Sequence, residues 1–361
     1  MGGILITGGA GFIGANFVHY WSRQHPQDRL VVLDALTYAG NRASLEGLPP
    51  GSDFRFVYGS INNLELVKRV LSEEGIDTIV HFAAESHVDR SILGPDAFIE
   101  TNVVGTHVLL QAARAVWLQG PGGPLPHRFH HVSTDEVYGS LLPEDPPFTE
   151  ENRYLPNSPY SASKAASDHL VRAAHHTYGL QVTTSNCSNN YGPFQFPEKL
   201  LPLMIVNILE NRPLPVYGDG LNVRDWLYVE DHCRGIERIL RQGRVGEVYN
   251  IGGNAEWQNI DIVRLLCREL DQAFAADPGL VRRYPRAQLA ARQESAGLIT
   301  FVADRPGHDR RYAIDARKIR SELGFEPQES FASGIRKTIA WYLEDEAWWR
   351  PLQSAATSRV R

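Results

Sequence analysis

Gly8-Gly9-Ala10-Gly11-Phe12-Ile13-Gly14 follows the apolar run Gly3-Ile4-Leu5-Ile6-Thr7 and opens onto an amphipathic stretch. Glycines at this spacing let a chain turn tightly, bring its backbone against a pyrophosphate and seat that anion on a helix N-terminus. A second apolar run, Leu30-Val31-Val32-Leu33, ends in Asp34. A carboxylate there accepts hydrogen bonds from an adenosine ribose and repels a 2'-phosphate, so the motif reads as a site for NAD over NADP.

Working outward, short apolar runs at 3–7, 30–33, 55–58, 78–82, 129–133 and 182–186 alternate with helical spacing at 13–24, 64–73, 98–117 and 160–178. Strands alternating with helices of this length predict right-handed crossovers and a parallel sheet covered on both faces. Gly120-Pro121-Gly122-Gly123-Pro124 interrupts the rhythm and reads as a loop between helix and strand. After Cys187 prolines and aromatics become dense, as in a substrate-gripping lobe, while a helix at 229–241 and a strand at 247–251 suggest a return to the main sheet. The expected fold is α/β, a Rossmann-type doubly wound parallel sheet with a smaller, mostly C-terminal substrate-binding lobe. We expect a dinucleotide-binding domain over 1–186 with a returning segment at 227–256, a second lobe over 187–226 and 257–352, and a flexible tail at 353–361.

The 361 residues, 43% of them hydrophobic, suffice for one large domain with an appended lobe or for two domains. A net charge of -6 argues against nucleic acid or an acidic membrane as a partner of the whole surface. Cys187, Cys233 and Cys267 are widely separated and form no C-x-x-C, which suits buried thiols in a reducing compartment and offers no metal site. No apolar run approaches a membrane span, residues 3–6 are too short for a secretory h-region, and Ile6 stands where myristoylation requires Ser or Thr. A cytoplasmic protein is expected.

Two further stretches carry chemistry. Ser133-Thr134-Asp135-Glu136 sets a hydroxyl and two adjacent carboxylates at the end of the strand read at 129–133, where ligands sit in open α/β sheets. Neighbouring carboxyls can be held in different protonation states, one as acid and the other as base. Tyr160-Ser161-Ala162-Ser163-Lys164 follows Ser158-Pro159, a helix start with serine as N-cap and proline in the first turn. Tyr160 and Lys164 then share one helix face, where the ammonium eases ionisation of the phenol and can reach a nicotinamide ribose. Acid, base and phenol together move three different protons, more than a simple dehydrogenase needs.

With these stand Leu36-Thr37-Tyr38-Ala39-Gly40-Asn41, Ala83-Ala84-Glu85-Ser86-His87-Val88-Asp89-Arg90-Ser91, Ser188-Asn189-Asn190-Tyr191-Gly192-Pro193, Arg224-Asp225-Trp226, Asp304-Arg305-Pro306-Gly307-His308-Asp309 and Gly334-Ile335-Arg336-Lys337. Over nearly its whole length the chain resembles the extended short-chain dehydrogenase/reductase superfamily and, within it, the dTDP-glucose 4,6-dehydratase family. Asp135-Glu136 is the most specific element, because related sugar-nucleotide epimerases lack it. The resemblance implies that NAD oxidises carbon 4 of dTDP-glucose while Tyr160 takes the hydroxyl proton and Thr134 orients it. Glu136 then removes the carbon 5 proton, Asp135 protonates the departing carbon 6 hydroxyl, and hydride returns to carbon 6.

The same resemblance implies a cofactor site of Gly8, Gly11, Phe12, Ile13, Gly14, Asp34, Leu36, Thr37, Ser60, Ile61, Ala83, Ala84, Thr101, Tyr160, Lys164 and Asn190. Ser86, Thr134, Asn189, Lys199, Leu200, Pro215, Tyr217, Arg224, Asn259, Arg305 and His308 would surround the sugar nucleotide. Lys199, Arg224 and Arg305 are the cations a diphosphate calls for. Where the family carries aspartate before the isoleucine that meets adenine, this chain has Ser60, which implies retuned NAD affinity. A homodimer through the helices at 98–117 and 160–178 is also implied. A UDP-sugar dehydratase or epimerase is the nearest alternative. A non-catalytic dinucleotide sensor is a third, disfavoured because all of Thr134, Asp135, Glu136, Tyr160 and Lys164 are present.

Overall fold

Strands apolar at every position need cover on both faces, and here they find it in a parallel sheet. The computed structural model describes residues 2–121 and 123–357. Its strands are β1 (Gly3–Thr7), β2 (Leu30–Asp34), β3 (Phe54–Tyr58), β4 (Ile76–His81), β5 (Arg128–Thr134), β6 (Val182–Cys187), β7 (Asn189–Tyr191), β8 (Leu214–Tyr217), β9 (Val223–Tyr228), β10 (Val248–Ile251), β11 (Glu256–Gln258) and β12 (Ile299–Val302). Seven of them form one sheet in the order β10-β6-β5-β4-β1-β2-β3. Every pairing in it is parallel. The direction of winding reverses between β1 and β4, the switch point at which such sheets open a crevice.

Alternation along β1 assigns the two faces. Ile4 and Ile6 pack with Phe17, Trp21, Ile236 and Tyr249 on one side, and Leu5 with Val67, Leu109, Trp117 and Val171 on the other. The helix Val229–Gln242 lies beside the helix Phe12–Gln24, and β10 extends the sheet beyond β6. A separate core of Leu201, Ile205, Leu214, Trp226, Leu266 and Tyr342 underlies the second lobe. That lobe holds a sheet of order β11-β9-β7 and a β12-β8 pair. Sequence reading misses β7, β8, β9, β11 and β12, because they are short and carry Pro215, Arg224 and Asp225 where an apolar pattern is wanted.

Two expectations need correction. The helix read at 98–117 starts at Asp96 and contains π-helical stretches at Ile99–Gly105 and Arg114–Leu118. The Asn102 carbonyl inside the first stretch accepts from Thr106 Oγ1 at 2.6 Å and from Ser167 Oγ at 2.7 Å, bonds that compete with the regular ladder. The expected tail at 353–361 is helical as far as Thr357, where Ala355 and Ala356 favour a helix; residues 358–361 lie outside the described residues, as does Gly122.

Three histidines stand in the middle of the sheet. His81 bonds Thr7 Oγ1 at 2.7 Å and Thr106 Oγ1 at 2.9 Å, and His130 bonds Thr183 Oγ1 at 3.0 Å and Ser185 Oγ at 3.1 Å. His131 Nε2 lies 3.0 Å from Asp168 Oδ1. Burial pushes all three imidazoles well below their ordinary range. Folded, they bind fewer protons than the unfolded chain, so their contribution is full above about pH 6.5 and is lost below it. At pH 5 each costs about 2 kcal/mol. The urea midpoint should therefore fall between pH 7 and pH 5, and less steeply in His130→Gln, which can still bond both hydroxyls; an unchanged slope in that variant would refute the assignment.

Candidate active site

The glycine loop joins β1 to the helix Phe12–Gln24 by close backbone contact. Gly8 has φ +70°, and a Cβ there would stand 2.6 Å from the Ala83 amide nitrogen. At Gly14 a Cβ would stand 2.3 Å from the Gly8 carbonyl oxygen. No side chain caps the helix at Gly11, so its first amides are left to a ligand. Beside them Asp34 Oδ2 accepts from the Ala10 amide at 2.9 Å and Oδ1 from the Leu36 amide at 2.8 Å. Burial lifts this carboxyl and the two amides pull it back. Each oxygen keeps a lone pair for a hydroxyl donor.

One cleft is lined by Gly8, Gly11, Phe12, Ile13, Gly14, Asp34, Thr37, Ser60, Ile61, Ala83, Ala84, Ser86, Thr101, Thr134, Asp135, Glu136, Tyr160, Lys164, Asn189, Asn190 and Lys199. Uncapped helix amides, a ribose-facing carboxylate and apolar walls in one crevice fit a dinucleotide. Ser60 is exposed there, and its Oγ accepts from the Asn62 amide at 3.1 Å. Leu36 is not among the lining residues; its backbone, at φ 49°, turns the chain out of β2. No group of metal-ligating side chains occurs among the described residues.

At the end of β5 the Thr134 hydroxyl accepts from the Glu136 amide at 3.3 Å, starting the short 3-10 turn Asp135–Tyr138. Tyr138, donating to Asn250 Oδ1 at 2.9 Å, pins that turn. Asp135 is buried, and its Oδ2 has no partner. Burial, then Glu136 and Asp225, lift its carboxyl well above the usual range, so it holds its proton. Glu136 is also lifted by burial, but Arg305, Arg224 and Lys199 pull it back. The two carboxyls thus sit in different electrostatic surroundings.

The helix Pro159–Tyr178 starts with a capping box between Ser158 and Ser161, which aims Tyr160 into the cleft. The expected ease of phenol ionisation is not met. Burial, then the Glu136 carboxylate, lift Tyr160 well above its ordinary value, against the Thr134 hydroxyl. Lys164 alone does not offset this: its Nζ donates to the Val132 carbonyl at 2.8 Å, and its own value is lowered by burial.

The remaining residues read for the sugar nucleotide, Leu200, Pro215, Tyr217, Arg224, Asn259, Arg305 and His308, are not among those lining the cleft. Tyr217 Oη and Arg305 Nη1 each lie 3.4 Å from the Asp89 carboxylate, and His308 Nδ1 lies 2.6 Å from Asp304. Arg224, expected at a diphosphate, is buried, with its guanidinium on the carbonyls of Val223 at 2.7 Å and Asp309 at 2.8 Å and over the Tyr312 ring. Those bonds commit it to the backbone while its charge still reaches Glu136. Asn259 Oδ1 is buried without a partner, ready for a donor. Pro215 lies on β8, and Leu200 opens the helix Leu200–Leu209 directly after Lys199.

Sequence reading passes over Asn102 and Asp168. Asn102 Oδ1 accepts from the Glu85 amide at 2.8 Å, and its Nδ2 donates to the Glu85 carbonyl at 3.0 Å and to Ser163 Oγ at 2.8 Å. It so ties the turn after β4 to the helix that carries Tyr160. Asp168, bonded to His131 and to Ser133 Oγ at 2.8 Å, raises Lys164 from one turn away. A polar residue inside an apolar helical pattern is the only sign of either.

A doubly wound sheet with a dinucleotide cleft at its switch point, carrying Tyr160 and Lys164 on one helix, defines the extended short-chain dehydrogenase/reductase class. The family described as GDP-mannose 4,6 dehydratase matches residues 5–338, and the chain belongs to it. Among curated proteins it is 56% identical to the dTDP-glucose 4,6-dehydratase of Xanthomonas campestris pv. campestris strain B100, over 95% of this chain and 94% of that one. Against dTDP-glucose 4,6-dehydratase 1 of Escherichia coli K12 it is 51% identical, over 98% and 96% of the two chains. Among solved structures, DesIV of Streptomyces venezuelae, a dTDP-glucose 4,6-dehydratase crystallised with NAD and dTDP, matches with a TM-score of 0.84 and 48% identity over 97% of this chain and 99% of that one.

Replacing Asn102 by Ala would strand the Glu85 backbone groups and take one donor from Ser163 Oγ, which keeps its bond to the Tyr160 carbonyl at 2.7 Å. We expect a loss of about 2 kcal/mol in urea unfolding, and a loss under about 0.5 kcal/mol would show that the tie is dispensable.

Proposed function

We propose that this protein is a cytoplasmic, NAD-dependent hydro-lyase that converts dTDP-glucose to dTDP-4-keto-6-deoxyglucose and water. The observation that carries the reading is the Asp135-Glu136 pair, one carboxyl holding its proton and the other faced by three cations, in the cleft that Tyr160 and the glycine loop also line. The names of the dehydratases to which the chain is 51–56% identical support the choice of sugar nucleotide.

In this reading residues 1–186 with 227–256 bind the cofactor, while 187–226 and 257–352 grip the sugar nucleotide. Bound NAD supplies a hydride acceptor that returns the hydride within the same cycle. Gly8, Gly11, Phe12, Ile13 and Gly14 hold its pyrophosphate, Asp34 its adenosine ribose, Ser60 and Ile61 its adenine, and Lys164 its nicotinamide ribose. With the charge of the bound cofactor added to that of Lys164 to offset the burial that otherwise keeps its phenol protonated, Tyr160 would take the proton of the 4-hydroxyl, which Thr134 orients. Once carbon 4 is a ketone, the carbon 5 proton is acidic and Glu136 removes it. Asp135, keeping its proton through burial, delivers it to the departing 6-hydroxyl, and Glu136 then reprotonates carbon 5; the proton that Tyr160 took goes to Asp135, which closes the cycle. Lys199 and Arg305 meet the diphosphate. Exposed Leu93, Ile99 and Val104 support a homodimer built on the helices at 96–118 and 159–178.

Two assays decide the matter. Purified protein given dTDP-glucose should form a 4-keto product, read by its near-ultraviolet absorbance in alkali, at a rate well above those with UDP-glucose or GDP-mannose. Equal rates would sink the choice of base, and no product from any of the three would favour a dinucleotide sensor. In Glu136→Gln, product formation should fall by on the order of 10²–10⁴ while slow oxidation at carbon 4 persists; elimination of water at the parental rate would remove Glu136 as the carbon 5 base.

A further inference from the structure

Three distant segments meet along one rim of the cleft: Thr37 and Tyr38 after β2, Glu85 and Ser86 after β4, and Phe196 to Lys199 ahead of the helix Leu200–Leu209. Glu198 stands where they converge, with a side chain only 10% exposed. Its carboxylate accepts from Arg90 Nη2 at 3.2 Å and lies 3.7 Å from His87 Nε2. The Arg90 guanidinium lies 3.8 Å above the centre of the Tyr38 ring, and that ring meets Phe196 edge-on at 5.8 Å. A charge-assisted pair, Arg90 with Glu198, and an aromatic pair, Tyr38 with Phe196, therefore cross from the cofactor-binding segments to the second lobe at one point, and the cation of the first lies over the tyrosine ring of the second.

None of these groups is needed for the proton transfers proposed above. What they do is mechanical: opening the rim parts Glu198 from Arg90 and Tyr38 from Phe196, so one charge-assisted bond and one aromatic contact must be given up together. A cofactor that gives back the hydride it takes must outlast the cycle, and residence is governed by the rate of leaving. We propose that Glu198, with Arg90 and Tyr38, forms a clasp that retains the dinucleotide between turnovers. This rests on the reading that NAD is held here and regenerated, and it makes the three positioning residues.

The test uses the protein loaded with NAD and passed through a desalting column without sugar nucleotide. Glu198→Gln and Arg90→Met should shorten NAD retention about tenfold, the worth of one charge-assisted hydrogen bond. Tyr38→Ala removes the ring that lies beneath Arg90 and against Phe196 and should shorten it as well. Saturating NAD should then restore dTDP-glucose turnover in Glu198→Gln, a rescue that damage to the fold would not allow. Parental retention in Glu198→Gln and Arg90→Met overturns the clasp, and so does a turnover defect in Glu198→Gln that NAD leaves unrelieved. If the charge variants fold poorly, parental retention in Tyr38→Ala overturns it instead. Should the variants lose NAD faster than the parent while the parent converts no sugar nucleotide, the clasp stands and the dehydratase reading falls.

Discussion

Two adjacent carboxylates held out of water at the end of a central strand are expensive, and the surrounding structure can be understood as meeting that cost unequally. Asp135 has no cation of its own within bonding distance; burial and its negative neighbours keep it protonated. Glu136 looks into three positive charges, Lys199, Arg224 and Arg305, and each of these comes from the second lobe. A Rossmann-type sheet alone would leave the pair alike. The second lobe makes them different, and an acid beside a base is what separates an elimination from a simple oxidation.

Holding those cations requires a rigid route between lobes. Arg224 is fixed by backbone carbonyls, and its neighbour Asp225 accepts from the Gly253 amide at 2.9 Å and the Ala255 amide at 2.6 Å, joining β9 to the turn before β11. On the cofactor side Asn102 does the equivalent work. Its side chain grips the turn after β4, its carbonyl takes two hydroxyls, and the helix around it loosens to π spacing. Local helical regularity is given up where the turn must meet the helix bearing Tyr160 and Lys164.

Much of the first half was legible because its signals are local. β1 and β2 are apolar runs, and the glycine spacing, the aspartate that ends β2 and the Ser158 cap are each written within a few residues. The second lobe was not legible in this way. Residues such as Arg224 and Asp225 sit in a strand because of carbonyls and amides contributed by residues 223, 253, 255 and 309, and no window of sequence contains those partners. Tyr160 illustrates the same limit from within a correctly read helix: the spacing to Lys164 was right, yet burial and Glu136 govern the phenol while Lys164 turns to the Val132 carbonyl.

By itself, then, the sequence determined the doubly wound sheet, its dinucleotide loop and the identity of the groups able to move protons, because periodicity, glycine spacing and side-chain chemistry are properties of short segments. Tertiary structure alone decided which carboxyl keeps its proton, which cations are committed to backbone, and how Glu198 meets Arg90 across 108 residues of chain. Protonation and charge pairing depend on burial and on distances between remote segments, and those exist only once the two lobes have closed on one another.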